Sequence, residues 1–132
     1  MRILVVDDDA ETANAFGTLL ESEGAVVTTA YNAEQGLAES QKAPFDLLIS
    51  DVGMAGMDGY EFIGAVRKMP YLSSLPAIAL TGYRTRDEHD AALSAGFNAH
   101  LSKPVSLEAL YEQIKAVGSF GASQNPPNAR ES

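Results

Sequence analysis

Five short apolar runs, each followed by a segment of helical periodicity, restrict this chain more than any other feature. The runs are Ile3–Val6, Ala25–Ala30, Leu47–Ser50, Ala77–Leu80 and Ala99–Leu101. The helical segments cover about Ala10–Glu23, Ala33–Gln41, Gly59–Lys68, Arg86–Ala95 and Leu107–Val117. Repeated strand-then-helix units predict an α/β fold with a parallel sheet and helices on both faces. Right-handed crossovers leave few topologies for such a chain.

Helix-end signals agree with this reading. Asn32 precedes a helix with Gln35 at its N3 position, and Asp58 with Glu61 and Thr85 with Glu88 have capping-box spacing. Gly24 and Gly96 fall where helix C-caps are expected. Pro44 and Pro76 lie in loops ahead of strands, where a missing N–H does no harm. From Gly118 onward, Gly, Ser, Asn and Pro replace the periodic pattern. The division expected is one domain over 1–118 and a flexible tail or linker stub over 119–132.

The ends of the runs carry the chemistry. Ile3-Leu4-Val5-Val6 leads into Asp7-Asp8-Asp9, and Leu47-Leu48-Ile49-Ser50 leads into Asp51. Thr81 and Lys103 follow the fourth and fifth runs. Open α/β sheets bind ligands outside the carboxyl ends of their strands, at the point where strand order reverses. In a doubly wound five-stranded sheet of order 2-1-3-4-5, strands one and three flank that point, which brings Asp7 and Asp8 beside Asp51. Three neighbouring carboxylates repel one another, and a hard divalent cation with oxygen ligands removes the cost. Mg2+ is the usual cation of phosphoryl chemistry. A carboxylate can act as nucleophile, a hydroxyl can donate to a phosphate oxygen and a lysine can balance phosphate charge. Taken singly, Asp8 or Asp9 would be read as a helix cap, Asp51 as a loop acid, Thr81 as a strand-end residue and Lys103 as a solvated turn lysine. Their order and their common position at strand ends point to a metal-assisted phosphoryl site.

Composition narrows the setting. A chain of 132 residues fits one domain able to bury a core without staples. The formal net charge of −9 argues against direct contact with nucleic acid. There is no cysteine, so disulfides and thiolate metal sites are excluded. No apolar stretch reaches signal-peptide or transmembrane length, so a soluble cytoplasmic protein without membrane contact is expected.

The chain resembles the receiver domain of two-component response regulators over about Arg2 to Val117. The motifs are Val5-Val6-Asp7-Asp8-Asp9, Ser50-Asp51-Val52-Gly53-Met54-Ala55-Gly56-Met57-Asp58-Gly59, Pro76-Ala77-Ile78-Ala79-Leu80-Thr81-Gly82 and Lys103-Pro104. The resemblance implies a flavodoxin-like fold. It implies Asp51 as phosphoacceptor, Asp8, Asp51 and the Gly53 carbonyl as direct Mg2+ ligands, and Asp7 acting mainly through water. Thr81 and Lys103 would hold the phosphoryl group, and the Lys103–Pro104 bond would be cis. A histidine kinase or phosphotransfer protein would be the donor. The face of the fourth helix, fifth strand and fifth helix would engage an unknown downstream protein, as a monomer or a phosphorylation-dependent dimer. The domain would take up phosphoryl groups from small donors and hydrolyse its own acyl phosphate, with signalling rather than turnover as its purpose.

Four positions depart from, or tune, the family pattern. Ala55 stands where a proline is usual, and its effect on the loop should stay under ~1 kcal/mol. His100 falls on the switch aromatic; it is expected to alternate between outward and inward positions with Thr81, in a pH-sensitive way because imidazole titrates near ~6.5. Gly53 and Tyr83 occupy the two positions that, by the resemblance, would flank the path of the hydrolytic water, Gly53 leaving it open and Tyr83 shielding it. Two other functions fit the same fold. A haloacid dehalogenase-type Mg2+ phosphatase would want Thr or Val where Glu11 stands, together with a cap domain. A phosphorylation-independent interaction module would normally lose an acid or the lysine, all of which are kept here. The Gly53-Met54 and Gly96–Leu101 segments look similar to receivers at the C-terminal end of hybrid histidine kinases, and a stand-alone regulator is the alternative setting.

Overall fold

The computed structural model describes residues 1–54, 56–82, 86–103 and 106–122, with side chains left aside at 86–89, 107 and 117–122. Five strands and five helices alternate: β1 (Arg2–Val6), α1 (Ala10–Ser22), β2 (Val26–Ala30), α2 (Ala33–Ser40), β3 (Leu47–Asp51), α3 (Gly59–Arg67), β4 (Ala77–Thr81), α4 (Arg86–Ala95), β5 (Ala99–Ser102) and α5 (Leu107–Ala122). The sheet is parallel throughout, in the order β2-β1-β3-β4-β5. This is the doubly wound topology expected from the sequence.

Side-chain alternation sorts the central strands into two cores. Leu4, Val6, Leu48, Ala77 and Ala79 point into one, where Ala33, Phe62, Ile63, Val66 and Ala92 bring in α2, α3 and α4. Ile3, Val5, Leu47, Ile49, Ile78 and Leu80 point into the other, closed by Ala13 and Leu20 of α1 and Leu110 of α5. Central strands of this kind are apolar on both faces, which is why they read as continuous runs. Each fully buried large apolar side chain contributes about 1.5–3 kcal/mol.

Local chemistry sets the element ends. Asp9, not Asp8, is the N-cap of α1, its side chain accepting from the Glu11 and Thr12 N–H groups. Asn32 caps α2 by accepting from the Gln35 N–H at 2.7 Å. Asp58 and Glu61 form a reciprocal capping box on α3. The predicted last residues Glu23, Gln41 and Lys68 are the C-caps of α1, α2 and α3. The predicted Thr85–Glu88 cap lies outside the described residues. β3, β4 and β5 each run one residue further than the apolar pattern, taking Asp51, Thr81 and Ser102 into the sheet. The last helix continues to Ala122 rather than stopping at Val117. Gly118 and Gly121 weaken a helix by about 1 kcal/mol each without forbidding it. The proposed tail beyond Ala122 lies outside the described residues.

Candidate functional site

The register places the acids. Val6 pairs with Ala30 on one side and Ser50 on the other, so β1 and β3 finish side by side. One step further, Asp7, Asp8 and Asp51 offer carboxylate oxygens that all lie within 4.8 Å of one another. Asp7 and Asp51 are buried and Asp8 is exposed. The spacing and the all-oxygen donor set fit a hard divalent cation such as Mg2+, which takes carboxylate and carbonyl oxygens plus water. Gly53 follows on the exposed loop, with open space where a side chain would project.

Lys103 enters from the end of β5. Its Nζ lies 3.1 Å from Asp7 Oδ2 and 3.1 Å from Asp51 Oδ1, so one ammonium bridges two carboxylates. Its backbone N–H donates to the Thr81 carbonyl at 2.7 Å, which fixes where the side chain starts. Burial alone would lower the Lys103 ammonium, but the hydrogen bonds and charges of Asp51 and Asp7 outweigh it and hold it above the usual lysine value. Asp7 goes the other way from a simple ion pair. Burial pushes its carboxyl above the usual range, Asp51 adds to the rise, and the Asp9 N–H at 2.9 Å and Lys103 only partly oppose it. The two shifts are compatible because Asp7 is fully buried while the lysine side chain keeps about a third of its surface. Outside the cluster, Asp9 is lowered by its hydrogen bonds to Thr12.

Thr81 extends β4 one residue past Leu80, the register partner of Asp51. It is buried, and its hydroxyl meets the His100 Nε2 at 2.6 Å. The sequence linked these two residues as a moving pair; their direct hydrogen bond comes from pairing geometry, which a single sequence does not display. Tyr83 and the Lys103–Pro104 bond lie outside the described residues, as does Ala55.

Two supports escaped the sequence reading. Gly59, the first residue of α3, packs on the backbone of β3: a Cβ there would sit 2.4 Å from the Asp51 carbonyl oxygen. Its N–H donates to the Val52 carbonyl at 2.9 Å. The signal was the Asp58-Gly59 pair, where a glycine inside a capping box wastes helix propensity unless space demands it. Arg67 is the second. Its guanidinium donates to the Gly96 carbonyl at 3.0 Å, the Leu72 carbonyl at 2.9 Å and Asn98 Oδ1 at 3.1 Å. That ties the end of α3 to the start of β5, and no short motif announces it.

Among the described residues no helix is long and apolar enough to cross a membrane. The sequence matches the family described as "Response regulator receiver domain" over residues 3–115. It is 50% identical over 105 residues to an uncharacterized 14.6 kDa protein from the sodA1 3′ region of Leptolyngbya boryana, covering 80% of each chain. It is 36% identical to the sensor histidine kinase GacS of Pseudomonas protegens over 98% of this chain, which spans 15% of that kinase. The fold superposes on the chemotaxis protein CheY4 of Vibrio cholerae with a TM-score of 0.84 at 33% identity, covering 88% of this chain and 97% of the other.

Proposed function

The chain belongs to the response regulator receiver domain family of two-component signalling, and from that premise we propose that it is a Mg2+-dependent switch phosphorylated on Asp51. The observation that carries the proposal is the bridging of Asp7 and Asp51 by Lys103 at 3.1 Å each, with Asp8 completing the oxygen cluster. A nucleophile, a cation site and a mobile positive charge meet at one sheet edge.

An Asp51 carboxylate oxygen attacks phosphorus. The P–N bond of a phosphohistidine, or the P–O bond of a small acyl phosphate, breaks with its electron pair going to the leaving group. Mg2+, held by Asp8, Asp51 and the Gly53 carbonyl and through water by Asp7, would supply charge neutralisation to the phosphoryl oxygens. Lys103 moves its pairing from the carboxylates to the phosphoryl oxygens as a point charge on a flexible stem. Thr81 donates its hydroxyl proton to another of those oxygens. Water then attacks phosphorus, restoring the carboxylate and releasing inorganic phosphate; the missing side chain of Gly53 and the bulk of Tyr83 tune the lifetime. Thr81 and His100 form the switch pair, coupling the site to the face of α4, β5 and α5. Phosphorylation biases an existing equilibrium between two arrangements of that face and so changes affinity for a downstream protein.

The relatives support a reading of donor and setting. GacS is a histidine kinase, and we assign the donor role to a histidine kinase or phosphotransfer protein meeting this domain in the cytoplasm. The test is to treat the protein with acetyl phosphate and Mg2+, reduce it with borohydride, and map the product by peptide mass. An acyl phosphate on Asp51 is reduced to homoserine at position 51. Homoserine at another aspartate, or an alkali-stable phosphate on a hydroxyl, contradicts the assignment.

A further inference from the structure

The 2.6 Å contact between the Thr81 hydroxyl and His100 Nε2 sits at the short end of the hydrogen-bond range. Strand register builds it. Ala79 faces His100 and Thr81 faces Ser102, so the imidazole lies one diagonal step behind the threonine. Thr81 is 3% exposed, so its hydroxyl has little water to turn to.

Proton counting gives this contact a direction. A threonine hydroxyl has one proton to donate, and a neutral imidazole has one nitrogen that donates and one that accepts. Thr81 can donate to a bare Nε2, or a protonated Nε2 can donate to the Thr81 oxygen. The two are not equivalent for the site next door. A phosphoryl group on Asp51 presents acceptor oxygens, so Thr81 holds it by donating its one proton there. Toward His100 its oxygen can then act only as an acceptor.

We propose that His100 is a positioning residue for Thr81, and that a phosphoryl group on Asp51 selects the ring protonated at Nε2, giving an aligned chain in which His100 donates to Thr81 and Thr81 donates to the phosphoryl oxygen. The inference rests on Asp51 being the phosphoacceptor and goes beyond it by assigning the proton at the switch. Aligned hydrogen bonds polarise one another in a buried setting. Linkage is reciprocal, so whatever places a proton on Nε2 also favours the phosphorylated site. A phenyl ring at position 100 offers no such donor.

The experiment uses the full chain labelled with nitrogen-15 at histidine. The ring nitrogens are followed by NMR with Mg2+, before and after beryllofluoride, which mimics a phosphoryl group on a carboxylate. His89 and His100 are told apart with His100→Gln. Phosphorylation of Asp51 is checked in parallel by intact mass with acetyl phosphate. The expected result is that His100 Nε2 takes on the shift and one-bond proton coupling of an N–H on beryllofluoride addition. His100→Phe should weaken beryllofluoride binding about 3- to 10-fold, the size of one lost hydrogen bond, and His100→Gln, whose amide can donate, should recover part of it. A ring whose Nε2 stays bare at saturating beryllofluoride overturns the proposal, as does a His100→Phe variant that folds and binds like wild type. If His100→Phe does not fold, the wild-type NMR result alone decides. A wild-type chain that gains no phosphoryl group and binds no beryllofluoride overturns the phosphoacceptor reading, and this inference with it.

Discussion

At the residue scale, on the proposed reading, Lys103 and a metal ion are competitors for the same carboxylates. The ammonium bridges Asp7 and Asp51 at 3.1 Å, so a cation binding there would displace part of that pairing. Lys103→Met should therefore tighten Mg2+ binding by about tenfold, equivalent to ~1.4 kcal/mol, while slowing phosphorylation from acetyl phosphate. Titration calorimetry and intact mass read the two effects separately; weaker Mg2+ binding in the variant contradicts the competition. Asp7 makes a pH prediction. Its folded pKa is raised by burial. A carboxyl raised in this way contributes stability that is full below the unfolded value, near ~3.9, and is lost as pH rises through the folded value. In chelator, the urea midpoint of Asp7→Asn should therefore gain on wild type as pH rises from about 4. Added Mg2+ should narrow the gap by stabilising wild type more than the variant. A constant difference across pH would remove Asp7 as the source.

At the element scale, α3 acts as a wedge under the end of β3. Gly59→Ala puts a methyl carbon 2.4 Å from the Asp51 carbonyl oxygen. Strand or helix must shift, at about 1–3 kcal/mol, and phosphorylation should slow because Asp51 moves. Thermal unfolding and phosphorylation rate together check this; Gly64→Ala, on the same helix with open space around it, should cause neither loss. Arg67 anchors the far end of that helix. Burial presses its guanidinium down, yet it stays charged and holds three oxygens. Gly96, one of its acceptors, sits at φ 130 with the Arg67 Cγ 3.1 Å from where a Cβ would be. A lysine has one nitrogen and cannot span three acceptors, so Arg67→Lys should cost about 1–3 kcal/mol in denaturant unfolding. Loss of under ~0.5 kcal/mol would mark the anchor as dispensable.

The same elements show what a single sequence carries. Strand positions were legible because buried parallel strands are apolar on both faces, and helix starts because Asn32, Asp58 and Asp9 cap locally. Asp7, Asp8 and Asp51 could be brought together from topology alone, since strand ends at a switch point must converge. Contacts that join residues far apart in the chain, such as Arg67 with Asn98 or Thr81 with His100, leave no local pattern. The end of α5 was missed because glycine lowers helix propensity without ending a helix that has a face to bury.

At the scale of the whole molecule, two apolar cores on either side of the sheet hold the frame that carries Asp7, Asp51 and Thr81 at strand ends. Phe62, fully buried among α2, α3 and the sheet, also lies against the site where Gly36 leaves room for its ring. Phe62→Ala should cost about 3–5 kcal/mol in unfolding free energy, and a loss below ~2 would show that this core repacks. We propose that the frame positions the groups and that phosphoryl transfer takes place at the strand ends. On the proposed reading, Asp51 and a divalent cation are both needed for that reaction. The most direct measurement is intact mass after acetyl phosphate, for wild type and Asp51→Asn, each with Mg2+ and with chelator. The account predicts one added phosphoryl group in wild type with Mg2+ and none in the other three samples. Equal gain by Asp51→Asn, or gain by wild type in chelator, would contradict it.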